Sequence, residues 1–149
     1  MKQLFLCLAL FFSTYSLAAD KSYYETSKGA ISGYDPVAYF LQNSAVKGKK
    51  QHHYTWKNNS WYFSSADNLA AFKQAPQKYA PQYGGFCAFA AANDKLVKVD
   101  PKAWSIVDGK LYLNYSKSVR KKWKKNPTEY IEDANGYWPS LSQQVAEFN

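Results

Sequence analysis

Four residue types that usually carry site chemistry are scarce in this 149-residue chain: two cysteines, one methionine, two histidines and one arginine. Cys7 lies in an opening stretch that reads as a secretory signal peptide, residues 1–18. Met1-Lys2 supplies the positive charge, residues 4–12 the short apolar run, and Ser16-Leu17-Ala18-Ala19 the small residues of a cleavage site. Leu6 stands where lipid attachment at Cys7 would need a small residue. Without the leader, Cys87 is alone, which excludes an internal disulfide and a tetra-cysteine metal site. The apolar run is shorter than the roughly 20 residues a membrane helix needs, and no second run reaches that length, so no membrane span is expected in the mature chain. The arginine shortage argues against sequence-specific nucleic-acid reading, which leans on the bidentate Arg fork. Disorder is excluded by 46% hydrophobic and 18% aromatic residues.

What is present is lysine and aromatic side chains. The precursor has 19 basic and 11 acidic residues, a net charge of +8, and cleavage removes only Lys2. Such a chain, once exported to the periplasm or beyond, is suited to meeting anionic envelope material. Residues 19–32 read as an N-terminal arm, 33–141 as one domain and 142–149 as a C-terminal tail. Tyr54 and Trp56, a turn at Asn58-Asn59, and Trp61-Tyr62-Phe63 predict a hairpin, followed by a helix capped at Ser64-Ser65 and punctuated by Pro76. The pattern recurs at a spacing of 51 residues. Trp61 falls on Tyr112, Ser65 on Ser116, Phe72 on Trp123, Lys73 on Lys124, Pro76 on Pro127 and Tyr79 on Tyr130. The second hairpin turns at Asp108-Gly109, a strong two-residue signal. The reading is an α+β domain: two antiparallel aromatic hairpins forming a sheet, with short helices packed on it, built by internal duplication.

Candidate chemistry is sparse. Cys87 follows Gly84-Gly85 and sits among Phe86, Phe89 and alanines; it reads either as a buried thiol or as a soft-metal ligand. His52 and His53 are its only imidazole partners, and strand alternation would send them to opposite faces. Asp35, Asp67, Asp94, Asp100 and Asp108 have turn or helix-start explanations and form no acid/base pair. No Gly-x-Ser-x-Gly or phosphate-cradling glycine motif occurs, so a binding role is favoured over an enzymatic one, with a thiol enzyme on Cys87 a distant third. Lys117, Arg120, Lys121, Lys122, Lys124 and Lys125 form a basic stretch that is either a solvated helix face or a surface for anions.

Three blocks, Gly33-Tyr34-Asp35-Pro36-Val37-Ala38-Tyr39-Phe40, Trp61-Tyr62-Phe63-Ser64-Ser65 with Asn68, Phe72, Pro76 and Tyr79, and Tyr83-Gly84-Gly85-Phe86-Cys87-Ala88-Phe89-Ala90, resemble exported bacterial YHS domain-containing proteins. The resemblance covers roughly residues 31–139. It implies the fold of a module that elsewhere carries three metal-binding cysteines, two of them paired, and a methionine. Mapped here, those soft ligands fall on Ala38, Phe40, Ser64 and Asn68, so metal binding through them is not expected. Two functions follow as expectations. The first is a small exported binding protein for copper or another soft metal, held by Cys87 with His52 or His53. The second is an envelope interaction module that holds anionic polymer or a partner protein on aromatics and the basic helix face.

Overall fold

The computed structural model describes residues 21–148, so the expected signal peptide lies outside the described residues. In chain order the elements are β1 (Glu25–Thr26), β2 (Gly29–Ala30), α1 (Ala38–Leu41), β3 (Lys49–Trp56), β4 (Asn59–Phe63), α2 (Ala66–Gln74), α3 (Pro76–Tyr79) and α4 (Ala88–Ala91). Then follow β5 (Asp100–Val107), β6 (Lys110–Asn114), α5 (Lys117–Trp123), α6 (Pro127–Leu141) and α7 (Val145–Phe148). The class is α+β with antiparallel hairpins.

The two halves share one plan to the level of register. Lys49 pairs with Phe63, a bulge follows, and pairing resumes at His53 with Tyr62 and runs to Trp56 with Asn59. Fifty-one residues later Asp100 pairs with Asn114, a bulge follows, and pairing resumes at Trp104 with Leu113 and runs to Val107 with Lys110. Each hairpin leads into a serine-capped helix: Ser65 Oγ accepts from the Asn68 N–H and Ser116 Oγ from the Val119 N–H, satisfying a helix-start donor. Each is followed by a helix with proline in its first turn, where the missing N–H costs nothing. The likeness also reaches upstream of the hairpins, at a spacing of 52. Ile31, Ser32 and Gly33 have φ of 51°, 52° and 79°, and Tyr83, Gly84 and Gly85 have 51°, 57° and 78°.

The first turn differs from the sequence expectation. Lys57 and Asn58, not Asn58 and Asn59, take positive φ of 49° and 57°, matching Asp108 and Gly109 at 49° and 70°. Asn59 is the first residue of β4 and fully buried. Its side chain holds the preceding segment: Oδ1 accepts from the Tyr23 N–H at 3.1 Å, and Nδ2 donates to Tyr23 O and Glu25 Oε2. The stretch read as an arm is therefore bound to β4, with Gly29 so close to Tyr62 that a Cβ there would lie 2.5 Å from the ring.

The hairpins do not join into one sheet; each is its own two-stranded ladder. The free edge of β6 is occupied by irregular backbone instead. Gln82 N–H donates to Leu111 O at 2.8 Å, and Cys87 bridges in parallel to Leu113 on β6. The hairpins meet through side chains, with Trp61, Phe63, Phe72, Leu111 and Leu113 in a single buried cluster. Tyr112, on the opposite face of β6, packs with Trp123, Ala88, Ala134 and Leu141 in a second cluster. Phe72 and Trp123 are both fully buried, as the repeat predicts. The stretch read as a tail contributes buried Val145 to this body. No helix among the described residues is long and apolar enough to cross a membrane.

Packing so many phenols inside gives the fold an alkaline weakness. Burial pushes the Tyr23 hydroxyl up to about 12 and raises those of Tyr39, Tyr83 and Tyr112. A phenol harder to ionise when folded contributes stability that is complete below its unfolded value near 10 and is lost as pH climbs through the folded value. Unfolding free energy from denaturant titration should therefore hold steady from pH 8 to 9 and fall by pH 11. Equal stability at pH 8 and pH 11 would contradict the burial assigned to these tyrosines.

Candidate functional site

The Asp-Pro turn of the first half is built around a fully buried carboxylate. Asp35 Oδ1 accepts from the N–H groups of Val37 (2.9 Å) and Ala38 (3.3 Å), capping α1. Oδ2 accepts from the Ser64 N–H (2.8 Å), Ser64 Oγ (2.7 Å) and Asn68 Nδ2 (2.7 Å), joining the end of β4 and the first turn of α2 to α1. Ser64 and Asn68, where the resemblance places paired cysteines, thus meet as hydrogen-bond donors to one carboxylate. Whichever oxygen is replaced, the donors aimed at it meet an N–H group instead of an acceptor. Asp35→Asn puts an amide where one oxygen was, and leaving a buried donor unpaired costs about 1–3 kcal/mol. The variant should lose at least about 2 kcal/mol in chemical denaturation; a loss under about 0.5 kcal/mol would mean the cluster tightens nothing.

Cys87 occupies the corresponding place in the second half, 52 residues after Asp35. Its buried sulfur accepts from the Tyr115 N–H at 3.3 Å, as Asp35 accepts from Ser64, the residue 51 before Tyr115. Burial pushes the thiol up, while N–H groups of Ala90, Tyr115 and Phe89 pull the other way. The thiol in turn donates to Asn114 Oδ1 at 3.7 Å, which also accepts from the Phe89 N–H. The sulfur is engaged by the Tyr115 N–H and by interior packing, and the burial that raises its pKa lowers its thiolate fraction.

The histidines sit on the other hairpin. His52 is half-buried on β3, near Gln51 Nε2 at 3.5 Å; His53 is exposed, with Nδ1 3.2 Å from Lys50 O and its ring beside Tyr62. The two face opposite sides, as alternation requires. No hydrogen bond joins either to Cys87, and among the described residues no three of His, Cys, Asp and Glu gather as a metal would need.

The basic stretch is different. Lys117, Arg120, Lys121 and Lys124 follow i, i+3, i+4, i+7 spacing, share one face of α5, and line a hollow of about 290 Å3. None lies within ion-pairing distance of a carboxylate among the described residues; the pair that does form is Lys21 with Glu25. Cations in the last turn of a helix are favoured by its dipole, but Lys117 in the first turn runs against it. Arg120 is oriented by two neighbours. Its Nε donates to buried Ser105 Oγ at 3.1 Å, and its guanidinium lies 5.8 Å from the centre of the Trp104 ring. An adjoining hollow of about 260 Å3 is lined by Trp104, Ser105, Arg120, Trp123 and Lys124 among others. The repeat-level packing of Trp123 was legible in sequence, but the setting of Arg120 was not, because it depends on the β5 face that α5 covers.

A larger hollow, about 670 Å3, lies between residues 21–23, the 80–84 turn and α6. Its two lysines are already engaged, Lys21 by Glu25 and Lys57 over the Trp56 ring. It offers less free charge than the α5 face.

A buried, hydrogen-bonded thiol should stay unreactive. In native buffer at pH 7, a disulfide-exchange reagent should label Cys87 only at the rate of global unfolding. Stoichiometric labelling within minutes, or tight uptake of Cu(I) by the folded chain that Cys87→Ser abolishes, would show the thiol to be an accessible ligand. No protein-family model, curated protein or solved structure matches this chain.

Proposed function

We propose that this chain is an exported binding module that holds an anionic polymer of the cell envelope on the α5 face. The observation that carries this is the row of four cations at helical one-face spacing with no carboxylate beside any of them among the described residues. Like charges three and four residues apart destabilise an isolated helix, each pair by about 0.2–0.5 kcal/mol. The row therefore works against local stability, and a bound polyanion would reverse the sign of that contribution. Lys122 and Lys125, both exposed, extend the positive field beyond the row. The lysines supply mobile, well-hydrated charges suited to a repeating polymer, and Arg120 supplies one oriented fork.

The signal-like leader and the resemblance to exported YHS domain-containing proteins support placement outside the cytoplasm; both stand as proposals beside the binding role. The soft-metal reading has weaker support. Cys87 is buried and engaged by backbone, and His52 and His53 lie on the other hairpin.

Retention on a phosphate-bearing cation exchanger and co-sedimentation with envelope fragments test the proposal. Binding should weaken steeply between 50 and 300 mM salt, because exposed charge pairs are screened within about 8–10 Å under physiological conditions. Lys117→Gln/Lys121→Gln should elute at clearly lower salt than the wild type. A control, Lys73→Gln/Lys78→Gln in the first half, should elute near the wild type after the same loss of charge. Equal shifts in both variants would reduce the effect to net charge and sink the proposal.

A further inference from the structure

The duplication gives an internal control for the α5 face. At a spacing of 51, Lys117 corresponds to Ala66, Arg120 to Leu69, Lys121 to Ala70, Trp123 to Phe72 and Trp104 to His53. The first half completes its capped helix and fills its core with no cation at the counterparts of Lys117, Arg120 and Lys121, a lysine (Lys73) at that of Lys124, and a phenylalanine at that of Trp123. The scaffold therefore does not require what the second half has there.

One consequence is a stranded donor. Trp123 is fully buried, and its indole Nε1–H finds no acceptor among the described residues. Buried polar groups are nearly always paired, and an unpaired one is costly. Phe72 fills the corresponding core position without such a group. Trp123 lines the hollow that Arg120 and Lys124 also line. Arg120 spends its Nε on Ser105, and its two Nη groups find no acceptor among the described residues. Trp123, Arg120 and Lys124 thus line one hollow that has no carboxylate among its lining residues. A ligand rich in acceptors would satisfy the groups these residues carry.

We infer that this hollow is a discrete oxyanion site, taking one phosphate or sulfate group of the polymer proposed above. The inference rests on that binding role and deepens it. The outer lysines give salt-screened attraction to any polyanion, whereas the hollow seats one tetrahedral group against Arg120, Lys124 and the Trp123 N–H. Guanidinium and ammonium donors to an oxyanion form the stronger, charge-assisted kind of hydrogen bond.

Titration of the full mature chain with tripolyphosphate, followed by amide and indole proton–nitrogen NMR, tests this. The indole resonance absent from Trp123→Phe should move saturably in the wild type. Trp123→Phe, which copies the residue of the first half, should keep the native spectrum elsewhere and bind tripolyphosphate about fivefold or more weakly. Arg120→Lys keeps the charge and removes the fork; it should weaken binding similarly, and it decides the matter should Trp123→Phe fail to fold. Inorganic sulfate is titrated in parallel: a stronger response to tripolyphosphate assigns phosphate as the source, a comparable one assigns sulfate equally, and both support the site. An unmoved Trp123 indole, or unchanged affinity in Arg120→Lys, with salt-dependent retention on the exchanger intact, overturns the oxyanion site and leaves the polymer-binding role standing. Loss of that retention in every arm would overturn the role itself.

Discussion

A single buried acceptor, used twice, organises this molecule. In the first half the Asp35 carboxylate caps α1 and takes the donors of Ser64 and Asn68, so one side chain fixes where a short helix starts, where β4 ends and how α2 leaves it. Helices of four residues have almost no stability of their own. They persist because their free N–H groups are aimed at an acceptor that the hairpin also needs. In the second half Cys87 holds the corresponding place with a weaker acceptor, and Asn114 supplements it through Oδ1. The strained turns 31–33 and 83–85, each with three consecutive positive φ values, deliver these acceptors to the same position relative to their hairpins.

That replacement explains why Cys87 looked like a site. A lone thiol beside two glycines, in a chain otherwise poor in soft ligands, invites a metal reading. Fifty-two residues earlier the same place is filled by a carboxylate that likewise accepts from the N–H just past its hairpin, which accounts for the thiol without a ligand. Asn114 carries the trace of the exchange: it lies where Phe63 lies in the first half, and its Nδ2 is buried without a partner among the described residues.

The fold was legible in sequence where local chemistry is decisive. Asp108-Gly109, the capping serines 65 and 116, and prolines 76 and 127 each set backbone geometry through their own side chains, so their positions revealed the repeat. Lys57-Asn58 was misplaced by one residue, since lysine at positive φ is uncommon and nothing local announces it. Edge pairing was not legible at all. Whether two hairpins merge depends on what else reaches their edges, and here irregular backbone from 82–87 takes the acceptor positions along β6. The candidate site divides in the same way. Its helical spacing is written in residues 117–125; the contacts that orient Arg120 come from Trp104 and Ser105 across the fold.

The two halves then show what duplication permits. A packing plan held by caps, turns and an aromatic core constrains only the inward face of each capped helix: Phe72 in one copy, Trp123 in the other, both fully buried. The outward faces are free to diverge, and they have. α2 presents alanines with one aspartate and one lysine, while α5 presents a row of cations. The row's lysines act as mobile charges, each contributing little and each screened by salt. Arg120 differs because Ser105 and Trp104 limit its freedom before any ligand arrives, which reduces the ordering cost of binding. For the proposed binding role, such a composition favours polymers over small anions: many weak, interchangeable contacts would surround one oriented contact, so affinity would grow with the number of charges engaged while a single residue set the position.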